Sequence, residues 1–213
     1  MEQEHDEVRE ARLIAASQRG DIRAFNDLAA IYERSLYTVA YRTVGHADTA
    51  ADVMQETLLS AFQHIRAYRG GSFRAWLTRI AMNKAYDALR KLQRHREESL
   101  DPAPSPDAPS GPDVQLESED ASPEEMVLRH ELSLALQDAL ATLPSDQRTV
   151  VVLFDVQGFS YEEIAYVEGV QLGTVKSRLS RGRARLRDYL LTHPEHLPRD
   201  VRPTFAPGRS PSH

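Results

Sequence analysis

The stretch Gly158–Leu190, GFSYEEIAYVEGVQLGTVKSRLSRGRARLRDYL, constrains the chain more than any other. It reads as two helices joined by a tight turn. Ser160 followed by Glu163 is a capping box: the hydroxyl caps a backbone N–H and the carboxylate reaches back to the Ser160 N–H. A short helix follows, to about Glu168. Ala165 is small where two helices would touch. Gly169 supplies positive φ at no steric cost, and Val170 and Leu172 are placed under the turn. Val175, Leu179, Leu186 and Leu190 then mark one face of a longer helix.

The opposite face is basic. Lys176, Arg178, Arg181, Arg183, Arg185 and Arg187 stand against one acid, Asp188. A solvated basic helix would carry such a face too. Together with the capping box and the glycine turn, it predicts a helix-turn-helix that enters the major groove of duplex DNA. Thr174, Lys176, Ser177, Ser180 and Arg181 fall nearest the base edges, where Arg and Lys read guanine and Ser and Thr read several bases.

Charge is partitioned along the 213 residues. The net charge is −6, yet residues 97–125 hold 10 acids and no base. Residues 66–96 hold nine bases and one acid, and residues 172–190 hold six and one. Two cationic stretches on either side of an acidic one predict two contacts with a polyanion. There is no cysteine, which excludes a disulfide framework and a thiolate metal site and fits a reducing cytoplasm. No apolar run is long enough to span a membrane, and the acidic start MEQEHDEVRE is unlike a signal peptide.

Taken in order, the pattern predicts an all-α chain. A short helix over 8–19 breaks at Gly20-Asp21. A stronger one runs from Ile22 to Val44 on Phe25, Leu28, Ile31 or Tyr32, Leu36, Val39 and Ala40, and Gly45 ends it. Asp48 is the expected cap of a helix over 49–68, with Val53, Leu58, Leu59, Phe62 and Ile65 as its core face. Asp52, Gln55 and Glu56 lie on another side. After Gly70-Gly71, Ser72 caps a helix over 73–96, apolar on one side and basic on the other. Residues 97–121 carry five prolines among Ser, Asp and Glu, the composition of a disordered linker. Ser122-Pro123-Glu124-Glu125 reads as a second capping box with Pro at the first helical position. Helices over 127–143 and 145–156 follow, with Val150, Val151, Leu153 and Phe154 as core residues. The Pro-rich tail is expected to be disordered.

This order of pieces resembles a known family. LPSDQRTVVVLFDVQGFSYEEIA and GVQLGTVKSRLSRGRARLR resemble region 4 of sigma-70 factors of the extracytoplasmic-function group. DTAADVMQETLLSAFQHI and YRGGSFRAWLTRIAMNKAYDALRK resemble region 2 of that group. The resemblance covers residues 24–96 and 126–191. It implies two small helical domains, region 2 over 24–96 and region 4 over 126–191. They would lie between an N-terminal segment (1–23), a linker (97–125) and a tail (192–213). It implies a cytoplasmic factor without cofactor, metal or membrane insertion. Such a factor binds core RNA polymerase through the clamp coiled coil of the largest subunit and the flap of the second-largest, and directs it to promoter DNA. By resemblance, Asp52, Gln55 and Glu56 lie in the polymerase-binding helix. Arg79, Asn83, Lys84, Asp87 and Arg90 lie on the helix that reads the −10 element as single strand, and Tyr68 begins the loop to Phe73 that captures a flipped base. Thr174, Lys176, Ser177, Arg178, Ser180 and Arg181 fall on the −35 helix. Ser180 departs from the bulkier residue often found there. The resemblance also implies an anti-sigma factor.

The residues fit such chemistry. Unstacking a base costs a few kcal/mol, which a pocket and cationic backbone contacts offset. Asp87 is placed to orient Arg90 or Lys84 at helical spacing. Tyr68, Phe73, Trp76 and Tyr86 are stacking candidates. Spacing favours the core for Phe73 and Trp76 and leaves Tyr68 and Tyr86 evenly divided. The rival reading is a helix-turn-helix regulator with a sensing or dimerising N-terminal half, which would bind a palindromic duplex without polymerase. An enzyme is disfavoured: no phosphate-binding glycine loop, HExxH or acid cluster occurs in the basic segments, and His193 and His196 lie in the Pro-rich tail.

Overall fold

A computed structural model describes residues 2–98 and 122–194. The expected linker and tail fall largely outside the described residues. Eight α-helices and no strand occur among those described.

α1 (Glu2–Gln18) begins earlier than its apolar pattern suggested. It is tied to the bundle by Gln18, whose Nε2 donates to the Ile65 and Tyr68 carbonyls at 3.2 and 3.0 Å. α2 (Ile22–Val44) has the expected bounds. The Asp21 carboxylate accepts from the Arg23 and Ala24 N–H groups, and Gly45 closes the helix at φ 83°. α3 (Ala47–His64) starts one residue before the expected cap. His46 is the N-cap, without a side-chain bond, and Asp48 sits in the first turn, where its charge still favours the helix dipole. A 3-10 turn, Ile65–Ala67, replaces the expected end of that helix. α4 (Phe73–Glu98) follows, and the Ser72 hydroxyl accepts from the Ala75 N–H at 3.2 Å.

In the second half, α5 (Pro123–Ala141) carries the complete Ser122–Glu125 capping box. α6 (Ser145–Val151) continues into a π-helical turn, Val152–Val156, which nothing in the periodicity announced. Val150, Val151, Val152 and Leu153 are buried, whereas Phe154 is half-exposed and stacks on Tyr161 at 4.8 Å. α7 (Tyr161–Glu168) and α8 (Leu172–Thr192) complete the fold.

Two apolar cores result. One lies within the first half, where Phe25, Leu28, Leu36, Ala61, Ile65, Phe73, Leu77 and Ala81 meet. The other is shared between the halves: Val39, Val44, Val53 and Met82 pack with Leu140, Val150, Leu153, Ile164 and Val175. α7 lies along α4, and α6 touches α2. Arginines seal this seam by donating to backbone carbonyls. Arg42 reaches Ser133 (2.8 Å), Arg148 reaches Thr43 (2.8 Å), and Arg74 reaches Gln157. A guanidinium bonds a carbonyl while its stem fills apolar space, so arginines hold the halves together as well as making up the exposed cationic faces.

Candidate nucleic-acid interface

The helix-turn-helix is built as its local chemistry dictates. The Ser160 N–H donates to the Glu163 carboxylate at 2.9 Å, and the Glu163 N–H donates to Ser160 Oγ at 3.1 Å. Burial alone would raise the Glu163 carboxyl. Hydrogen bonds from Ser160 and Ser72, with the charge of Arg74, leave it below its ordinary value. Gly169 turns at φ 66° and donates to the Ala165 carbonyl. Val175 and Leu179 are buried, fixing which face of α8 looks out, while Leu172 is 41% exposed instead of lying under the turn. Lys176, Ser177, Ser180 and Arg181 are exposed on the outward face, and Thr174 is half-buried in the first turn. Arg181 folds back on its own helix, donating to the Ser177 carbonyl at 3.2 Å and its hydroxyl at 3.3 Å.

Arg178 departs from the expectation. Its guanidinium is held between Asp146 (3.1 Å) and Glu168 (3.2 Å), joining α6, α7 and α8, and its side chain is only 20% exposed. It braces the helices that carry the outward face instead of lying on it. Arg183 pairs with Asp155 and lies over the Phe154 ring at 5.1 Å.

The second cationic surface is α4 with the loop before it. Gly70 and Gly71 take φ of 103° and 92°, which only glycine adopts freely. The Tyr68 hydroxyl donates to the Gly71 carbonyl at 2.6 Å and pins this loop. Tyr68 packs edge-on to Phe73 at 5.3 Å and lies 5.5 Å from Trp76, while Phe73 is buried. An open cleft of about 990 Å³ lies beside the loop, walled by Glu7, Glu10, Tyr32, Arg66, Tyr68 and Arg74. α1 forms one wall of it, a part its apolar pattern does not announce. Burial, with a hydrogen bond to Glu10, pushes the Tyr32 phenol well above its ordinary value.

Along α4, Arg79, Asn83, Asp87 and Arg90 are exposed and Lys84 is half-exposed. Asp87 pairs with Arg90, as helical spacing suggested, and this bond holds its carboxyl below the ordinary range. Lys84 reaches Glu56 at 3.3 Å, linking the cationic helix to α3. On α3, Ala50, Val53, Thr57 and Ala61 face inward and Asp52, Gln55 and Glu56 outward. Leu59, expected in the core, stands 60% exposed one turn beyond Gln55. Tyr86, between Asn83 and Arg90, is drawn into the seam by Glu168. Among the described residues no cluster of His, Asp or Glu could hold a metal ion, and no helix is long and apolar enough to cross a membrane.

Known proteins share this arrangement. Residues 28–95 match the model of sigma-70 region 2, and residues 133–186 match that of sigma-70 region 4. The chain is 38% identical to the ECF RNA polymerase sigma factor SigE of Mycolicibacterium smegmatis, over 84% of this chain and 66% of that protein. It is 36% identical to the ECF RNA polymerase sigma factor SigM of Mycobacterium tuberculosis, over 83% of this chain and 82% of that one. Among solved structures it resembles the sigma factor RpoE of Bartonella quintana, in complex with the anti-sigma factor NepR. The TM-score is 0.60 at 29% identity, covering 80% of this chain and 98% of that one. Sigma factors bind core RNA polymerase and promoter DNA and act in transcription initiation, not as enzymes. With two exposed cationic helices carried on matches to regions 2 and 4, the chain belongs to the extracytoplasmic-function group of the sigma-70 family, the alternative RNA polymerase sigma factors.

Proposed function

We propose that the chain docks on core RNA polymerase through the outward face of α3 and reads a promoter at two places. Asp52, Gln55 and Glu56 meet the clamp coiled coil of the largest subunit, and the helix-turn-helix module meets the flap of the second-largest. The outward face of α8 reads the −35 element as duplex through Thr174, Lys176, Ser177, Ser180 and Arg181, with Arg178 as their brace. α4 and the Gly70-Gly71 loop hold the −10 element as single strand through Tyr68, Arg79, Asn83, Lys84 and Arg90, with Asp87 orienting Arg90. The observation that carries this reading is the outward face of α8: Lys176, Ser177, Ser180 and Arg181 all exposed on a helix-turn-helix whose first helix is capped at both ends. An anti-sigma factor is the expected regulator, since the RpoE neighbour was solved with one. The site of action is the cytoplasm, beside the polymerase.

The test is purified chain added to core polymerase on a genomic promoter library, with start sites mapped. New start sites sharing two spaced elements are expected. Binding to a palindromic duplex with no effect on polymerase would favour the regulator reading. Arg181→Ala should weaken discrimination at one or two −35 positions by about 1–3 kcal/mol each. An equal loss on every promoter variant would make Arg181 a phosphate contact only. Asn83→Ala should leave polymerase binding intact and slow open-complex formation. Normal opening kinetics would remove Asn83 from the base-reading set.

A further inference from the structure

Two positions of the −10 stripe of α4, Arg79 and Tyr86, are already engaged by the chain's own second half. Arg79, Asn83, Tyr86 and Arg90 follow at spacings of four, three and four, so they share one face. α7 lies along that helix. The Arg79 guanidinium stands 4.9 Å from the centroid of the Tyr166 ring and donates to the Tyr166 carbonyl at 3.1 Å. Two residues on, the Glu168 carboxylate accepts from the Tyr86 hydroxyl at 3.0 Å, and Thr149 completes the contact at 3.0 Å. A ring under a guanidinium and an anion on a phenol are what a nucleotide presents: a base face and a phosphate.

We propose that α7 stands in for single-stranded DNA on α4, with Tyr166 in the place of a base over Arg79 and Glu168 in the place of a phosphate at Tyr86. Tyr86 thereby joins the strand-binding residues, and the closed chain competes with the strand at these two positions. This deepens the −10 reading above and rests on it. Of the three candidate binding surfaces, closure engages only the one on α4. Asp52, Gln55 and Glu56 on α3 and Lys176, Ser177, Ser180 and Arg181 on α8 stay exposed in the same structure. The chain can therefore meet polymerase and a −35 duplex while its strand site is shut, and separating the two halves opens it. Apparent strand affinity falls by the fraction of molecules that are open, so closure held at roughly ten to one weakens it about ten-fold.

The test uses the full chain and two fluorescent probes, a mixed-sequence single-stranded 20-mer and the same sequence as duplex, read by anisotropy. Tyr166 is 44% exposed, so Tyr166→Ala removes the stand-in base without opening a core. It should tighten single-strand binding about ten-fold and change duplex binding less than two-fold. Adding Tyr86→Phe, which keeps the ring and removes only the hydroxyl, should take back part of that gain. The converse variant holds the chain shut. Ser35 Oγ donates to Gln157 Oε1 at 2.6 Å across the seam, and the chain has no native cysteine. Ser35→Cys with Gln157→Cys, bridged by a short bis-thiol reagent, should lose single-strand binding several-fold and keep duplex binding. The proposal is overturned if the bridged chain binds the strand as well as the unbridged one, or if the pair does not bridge. It is also overturned if Tyr86→Phe changes nothing in the Tyr166→Ala background. Failure of the promoter reading looks different: the unbridged chain then directs no polymerase, whatever its strand affinity.

Discussion

Gly182→Leu is expected to unfold the helix-turn-helix module and to abolish −35 binding with it. Gly182 lies mid-helix in α8 and is buried. A Cβ built there would come within 2.8 Å of Val151 Cγ2 and 3.4 Å of the Gln147 carbonyl. Val151 is itself buried, and a β-branched side chain has little rotamer freedom with which to retreat. α6 and α8 cross here because there is no side chain between them. For Gly182→Ala two effects oppose. Removing a helix-interior glycine gains up to about 1 kcal/mol, while overpacking costs about 1–3 kcal/mol, so the net is a modest loss. Leucine adds three further carbons to the same point. A cost of about 3 kcal/mol or more follows, a large share of the roughly 5–15 kcal/mol that holds a domain folded. Urea unfolding should show the midpoint falling. An unmoved midpoint for the leucine variant would mean that α6 and α8 do not meet as closely as 2.8 Å implies.

Gly182 also shows what could have been read earlier. A glycine between two arginines in a helical run is costly unless something packs against it, and that signal was present in SRGRARL. Elsewhere local chemistry wrote local structure. The Ser160–Glu163 and Ser122–Glu125 boxes and the Gly45 and Gly169 stops lie where their neighbours require them. Asp48 misled because an acid in the first turn and an acid at the cap carry the same signature. Leu58-Leu59 and Ile31-Tyr32 are adjacent apolar pairs of which one member must face out. In the structure Leu59 and Ile31 do so. The π-helical turn at Val152–Val156 has no five-residue pattern of its own, because its register is set by what it packs against.

The seam between the halves was the least legible part. Arg42, Arg74 and Arg148 donate to backbone carbonyls, and a carbonyl acceptor leaves no mark on the sequence. Periodicity groups Arg178 with its outward-facing neighbours, because it cannot tell a guanidinium that looks out from one that pairs with acids on two other helices. The partners that decide it, Asp146 and Glu168, come from two other helices. Both cationic surfaces are legible as stretches of charge, but which cations within them are engaged depends on partners far away in the chain.

Glu168→Ala should destabilise the same module by about 2–4 kcal/mol, through loss of a partner and not of a contact surface. The Glu168 side chain is 4% exposed and serves both Arg178 and Tyr86. Truncation leaves the Arg178 guanidinium with Asp146 alone, whose side chain is 43% exposed, and the Tyr86 phenol with Thr149 alone. Removing one member of a buried pair costs about 3–5 kcal/mol, and the surviving Asp146 contact moves the value toward the lower end. A compensated pair, Glu168→Leu with Arg178→Met, should regain most of it, because no charge is then left without a partner. The pH dependence has a definite sign. Burial raises the Glu168 carboxyl above its ordinary value, and the hydrogen bonds from Tyr86 and the charge of Arg178 only partly oppose this. Its contribution to the closed, folded state is therefore full below the ordinary carboxylate range and fades as pH rises through the raised value. Glu168→Gln still accepts from Tyr86 but does not titrate, so its stability should run flatter than wild type across that window. Identical slopes for the two proteins in urea titrations would mean that the carboxylate does not feel the burial the seam imposes.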